Sequence, residues 1–151
     1  MKILVVYRTE KDFVGKFVKN IAESLKKQGH EVDLVSRNED LNFETLSSSM
    51  EGLKGFILKI NEKENYDIIY TQDWSIAMPL LIPSKVLFEK HYCLFHDIEP
   101  SSKSKIFQKI VGNMLGNKLL VKTKELKEKF PKAIPSKNGL EVLDLKNKQS
   151  T

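Results

Sequence analysis

The stretch Ile3-Leu4-Val5-Val6-Tyr7-Arg8-Thr9-Glu10-Lys11-Asp12-Phe13-Val14-Gly15-Lys16-Phe17-Val18 decides the fold. Its first five residues are an unbroken apolar run of strand length. A strand without polar alternation is covered on both faces, as in a parallel sheet. The polar loop from Arg8 to Asp12 follows at once. Val14, Phe17, Val18, Ile21 and Leu25 then fall on one face of a helix, with Lys16, Lys19, Asn20, Glu23 and Lys26 opposite. Gly29 stands where a helix end favours a left-handed residue. Strand, polar loop and amphipathic helix open a βαβ unit. Ligands in such sheets bind at the carboxyl ends of the strands, so the loop from Arg8 to Gly15 is expected to face the cleft.

The same alternation runs through the chain. Further strands are expected at 31–36, 66–71, 91–95 and 118–122, with a short extended piece at 132–135. Residues 31–36 alternate polar and apolar, which places them near a sheet edge. Helices are expected at 50–60, 75–81, 103–115 and 123–130. Ser48 with Glu51 has capping-box spacing, Pro79 and Pro83 confine the helix near them to a couple of turns or kink it, and Thr123 caps the last one. On the helix at 103–115, Ile106, Phe107, Ile110, Val111 and Met114 read as one side, and Lys103, Lys105 and Lys109 as the other. The expected fold is α/β: a doubly wound parallel sheet in a Rossmann-like three-layer sandwich, with strand order 3-2-1-4-5. One domain is expected over 1–141, with 142–151 as a flexible tail or the start of an interdomain linker.

The 151 residues suit a single domain, and 40 % hydrophobic with 30 % charged residues suit a globular chain. No run approaches the roughly 20 apolar residues that span a bilayer. The first strand begins at residue 3 with no cleavage site after it, so no secretory leader is expected. Cys93 is the single cysteine, which leaves no internal disulfide and fits a cytoplasmic location. The net charge of +5 is uneven: residues 101–151 carry a balance of +8, residues 1–100 one of −3. The basic end suits an anionic membrane surface, a sugar nucleotide, nucleic acid or plain solvent. Nucleic acid would rest on diffuse lysines with no recognition motif, and is not expected.

Chemistry is sought at the strand ends: the loop from Arg8 to Gly15, then Gln72-Asp73-Trp74, then His96-Asp97-Ile98-Glu99. His96 is the expected general acid or base, because an ordinary imidazole titrates near neutrality. Asp73 or Asp97 is expected to orient it or to touch substrate. His30 and His91 begin strands, at the opposite edge, and read as structural. Trp74 reads as core packing. G-x-G-x-x-G, Walker A and G-x-S-x-G sequences are missing, and no Cys/His set has zinc spacing, so no metal is expected.

A series of these segments resembles the GT-B glycosyltransferases, and most closely glycosyltransferase family 4. Met1-Lys2-Ile3-Leu4-Val5-Val6 and Val14-Gly15 are similar to its first strand and helix start. Leu25-Lys26-Lys27-Gln28-Gly29-His30-Glu31-Val32 resembles its "L-x-x-x-G-H-E-V". Tyr66-Asp67-Ile68-Ile69-Tyr70, Phe95-His96-Asp97, Leu120-Val121-Lys122-Thr123-Lys124-Glu125-Leu126 and 133–141 follow in the family's order. The resemblance covers residues 1 to about 141, which is the acceptor-side half of such an enzyme. It implies a nucleotide-sugar co-substrate, no further cofactor, and a C-terminal donor-binding half supplied as a separate chain or a further domain. The donor-binding E-x7-E is missing here; Glu23 and Glu31 have the spacing but straddle a helix and a strand. By the resemblance, Gly15 lies in the loop near the donor phosphates, although Val14 replaces the loop's other glycine. His96 matches the histidine beside the reacting sugar, and Asn138-Gly139 the turn leading into the cleft. The region 103–115 matches one that meets the membrane in lipid-modifying members. A non-catalytic module binding carbohydrate, lipid head group or protein is the alternative, and an unrelated Rossmann-like nucleotide-binding protein a third reading.

Overall fold

A computed structural model describes residues 1–41, 46–81 and 85–150, without the side chains of 46–50, 85–86 and 149–150. The elements in chain order are β1 (Lys2–Tyr7), α1 (Phe13–Lys27), β2 (Glu31–Ser36), α2 (Leu46–Glu64), β3 (Ile68–Gln72), α3 (Trp74–Leu81) and α4 (Lys85–Lys90). Then follow β4 (His91–Phe95), α5 (Ser102–Leu115), β5 (Leu119–Val121), α6 (Lys124–Lys129), β6 (Ile134–Pro135) and α7 (Val142–Ser150). All strand pairings are parallel, in the order β2-β1-β3-β4-β5-β6. The expected order 3-2-1-4-5 is corrected: β3 pairs with β1, Ile3 opposite Ile68, and β2 is left as an edge.

The apolar strands bury both faces, as their composition demands. Ile3, Val5, Tyr7, Ile68, Tyr70, Tyr92, Leu94 and Leu120 face α1 and α7. Leu4, Val6, Ile69, Cys93, Phe95, Leu119 and Val121 face the helices from α2 to α6. This is the three-layer α/β sandwich, Rossmann-like in its layers.

Two expectations change here. Residues 142–151 were expected as a loose tail or linker, but Val142–Ser150 is helix α7, with Val142 fully buried and Leu145 nearly so against Tyr92 and Leu120. Helix α5 is rolled away from its expected packing face. Gln108, Val111, Gly112 and Leu115 point inward, while Ile106, Ile110 and Met114 stand 59, 50 and 40 % exposed. The cause is local. Gly112 lies so close to the Phe130 ring that a Cβ would fall 2.3 Å from it, and Gln108 donates to the Asp97 carbonyl at 2.8 Å. Both contacts need the small and the amide-bearing side to face inward. Helix α2 begins two residues before Ser48, whose side chain lies outside the described residues, as does Pro83.

Candidate functional site at the carboxyl edge

From β1 the chain crosses to β2 on one side and returns to β3 on the other. Loops part at such a switch point and leave a crevice at the strand ends. A hollow of about 260 Å³ opens there, lined by Arg8, Asp12, Val14, Gln72, Asp73, Ser75 and Glu99. A second, of about 350 Å³, shares Val14, Asp73 and Glu99 and adds His96, Asp97, Ile98 and Pro100. The structure thus brings together His96, Asp73 and Asp97, as the strand-end reading expects. An apolar-lined groove of about 340 Å³ beside α5 lies away from these groups.

The turn after β1 is closed on itself. Asp12 caps α1: its Oδ1 accepts from the Gly15 N–H at 2.9 Å, and its Oδ2 from Arg8 at 3.0 Å. Thr9 donates to Glu39 at 2.9 Å, and the Glu10 N–H donates to the same carboxylate. That backbone donor, first among several, holds Glu39 below the usual carboxylate range. A Cβ on Gly15 would lie 2.5 Å from the Thr9 carbonyl oxygen and 2.8 Å from Glu10 backbone atoms. Gly15 was expected to admit donor phosphates. It admits the chain's own loop instead, and its N–H is already bonded.

The turn after β3 is different. Asp73 has φ +69°, a left-handed conformation uncommon outside glycine. It is held there by its N–H donating to the Leu94 carbonyl at 2.9 Å and its carbonyl accepting from Ala77 at 3.2 Å. Its carboxylate accepts the His96 backbone N–H at 3.2 Å. Burial nevertheless dominates and pushes the carboxyl up to about 6.

His96 was expected to titrate near neutrality. Burial, aided by the Lys122 charge, pushes it down to about 4, so the ring is neutral at pH 7. Its orienting partner is neither aspartate but Gln72, whose Oε1 lies 2.8 Å from Nε2. With the amide oxygen so placed, Nε2 carries the proton and Nδ1 the lone pair. Among the described residues, His96 Nδ1 and Gln72 Nε2 are buried without a hydrogen-bond partner. Phe17 meets the ring edge-on at 5.0 Å. Asp97 is exposed, its Oδ1 accepting from Ile98 at 2.8 Å.

Asn138 and Gly139 line neither hollow. Asn138 is exposed and accepts from the Leu140 N–H at 3.0 Å. Gly139, with φ +78°, is pressed against Ile21 and accepts from the Tyr70 hydroxyl at 2.9 Å. The turn expected to enter the cleft braces the core beneath it. His30 and His91 are structural as read: His30 Nδ1 bonds the N-terminal amine at 2.9 Å, and buried His91 bonds Thr71 at 2.7 Å. Trp74 stacks on Phe107 at 5.5 Å. Gln72, Ser75, Glu99 and Arg8 join the site without having been singled out as site residues. Gln72 carried a signal, being a polar residue ending an otherwise apolar strand.

Among the described residues no group of three His, Cys, Asp or Glu side chains is placed to hold a metal, and no helix is long and apolar enough to cross a membrane. No known family's sequence model matches the chain, and no curated protein does.

Proposed function

We propose that the chain is the acceptor-side half of a GT-B-type glycosyltransferase, which moves a sugar from a nucleotide-sugar donor held by a separate or further C-terminal half. The observation that carries this reading is Asp73: a carboxyl near pKa 6, in a left-handed turn, within a cleft at the switch point. A base with a pKa just below the working pH is ionised yet still accepts a proton readily. Asp73 takes the proton from an acceptor hydroxyl. That oxygen bonds the donor's anomeric carbon as the carbon–phosphate oxygen bond breaks, and the nucleoside diphosphate leaves with the electron pair. The proton-handling role thus passes from His96 to Asp73, with neutral His96 and Gln72 shaping the floor beside it.

The lining supports a polyhydroxyl acceptor. Gln72, Ser75 and Glu99 offer acceptors and donors to hydroxyl groups. The α1 N-terminus, bonded to Asp12, is not offered to phosphates, which is consistent with donor phosphates held by another half. The exposed Ile106, Ile110 and Met114, beside Lys103, Lys105 and Lys109, support peripheral contact of 103–115 with the inner membrane face. The same Asp12 cap also favours the second reading, a binding module without catalysis.

Tagged chain is recovered from a lysate of its source cells, and the complex is supplied with labelled nucleotide sugars and membranes. Sugar transfer is expected, falling by about 100-fold in Asp73→Asn with recovery of the partner unchanged. Transfer at an equal rate by the variant complex overturns the role of Asp73. No transfer by any complex leaves the binding module as the reading.

A further inference from the structure

Phe13 opens α1 with 74 % of its surface exposed, at the edge of the candidate site. Its neighbour Val14 lines both hollows. The Lys122 ammonium, from the end of β5, lies 4.0 Å from the centre of the Phe17 ring and 5.3 Å from that of Phe13. Phe17 in turn packs on His96. An apolar plate and a cation therefore stand side by side at the rim.

Among the described residues Lys122 has no ion-pair partner. It is half-buried, and among the described residues no carboxylate comes within 4.0 Å of its ammonium. Arg8, which lines the first hollow, is already paired with Asp12. Asp73 and Asp97 act on Lys122 only at longer range. Two aromatic faces hold the ammonium in place and recover part of its lost hydration. A lysine fixed in this way is a ready point charge for phosphate.

We propose that Phe13 and Lys122 form a subsite for a glycosyl phosphate, with the sugar ring stacked on Phe13 and the phosphate on Lys122. This rests on the acceptor-half reading above and narrows the acceptor to a sugar that carries a phosphate. The adjoining cleft argues for a sugar over a nucleobase, because Gln72, Asp73, Ser75 and Glu99 match a ring bearing several hydroxyls. It also fixes the position of the anion. The carboxylates of that cleft repel a phosphate, so the charge must lie on the Lys122 side.

The test is an NMR titration of the full chain with glucose, galactose, mannose and N-acetylglucosamine, each beside its 1-phosphate, with inorganic phosphate and glucuronate as controls. For at least one sugar, the 1-phosphate is expected to bind about tenfold tighter than the free sugar. Lys122→Met removes that advantage and Lys122→Arg keeps it. Phe13→Ala weakens the sugar and its phosphate alike. Circular dichroism first establishes that each variant is folded. Equal affinity for sugar and sugar phosphate overturns the subsite, as does an advantage that survives in Lys122→Met. Inorganic phosphate or glucuronate binding as tightly as the sugar phosphate overturns it too. If free sugars shift the Asp73 and Ser75 amides with no phosphate advantage, this inference fails and the acceptor-half reading stands. If no sugar shifts either amide, both fail.

Discussion

Two turns flank the same crevice and have opposite chemistry. The turn after β1 satisfies itself: Asp12, Gly15, Arg8, Thr9 and Glu39 are bonded to one another. The turn after β3 leaves needs unmet. Asp73 sits at φ +69° with its carboxyl pushed up to about 6, and among the described residues the amide nitrogen of neighbouring Gln72 has no hydrogen bond. Self-satisfied polar groups stabilise a fold but have little left for a ligand. Strained and desolvated ones reduce stability and remain available. The glycine-bearing turn draws attention in the sequence, yet the turn with the strained and desolvated polar group is the other one.

The largest effect expected from breaking this contrast is at Gly15. Gly15→Ala drives a methyl into backbone atoms of Thr9 and Glu10 that cannot swing aside. It should destabilise the fold by about 3 kcal/mol in urea unfolding. A loss below about 1 kcal/mol means that the loop opens freely and the turn is not closed.

Asp73→Asn should act in the opposite direction. In the folded state the carboxyl titrates at about 6, above its ordinary 3.8, so the wild-type fold loses stability as pH rises from 3.8 through 6. The amide escapes that loss and tolerates the left-handed turn. The variant should be more stable than wild type by up to about 3 kcal/mol at pH 7, with the gap closing below pH 4. A gap that is the same at both pH values removes the buried carboxylate as its cause. His96 carries the reverse sign. Its pKa is lowered, so its stability is present above 6.5 and lost as pH falls through about 4. Its imidazole resonances should titrate near 4 by NMR; a midpoint above 6 means that water reaches the ring.

The layers of the fold were legible because both-face burial writes itself into strands such as Ile3 to Tyr7. The strand order was not read, although β2 held a clue. Glu31 and Asp33 are exposed, as suits an edge, and an inner place for β2 in a 3-2-1 order conflicts with them. Helix α7 was missed because its apolar content is small: Val142, Leu143 and Leu145 among polar residues. Site position was legible, since any polar residue ending a buried strand reaches the rim, as Asp73 and His96 do. Their protonation was not. Burial shifts both, and Lys122, just past β5, adds to the shift of His96; the spacing of residues along a chain encodes neither. Phe13 and Lys122 are far apart in sequence and meet only because β5 ends beside the start of α1.

The smallest expected change in stability carries the sharpest test of the closed turn. Asp12→Ala removes the N-cap of α1 and the partner of Arg8. Loss of such a cap costs about 1 kcal/mol, and the exposed ion pair adds no more than a few tenths. The substitution also frees the Gly15 N–H at the positive end of a helix dipole, and with it the Arg8 guanidinium. If Asp12 is what closes this turn to anions, the variant should gain binding of inorganic phosphate, seen as shifts of the Gly15 and Lys16 amides that wild type does not show. Wild type and variant responding alike would mean that the backbone of Thr9 and Glu10, packed against Gly15, closes the turn by itself. The contrast between the two turns would then rest on shape rather than on charge.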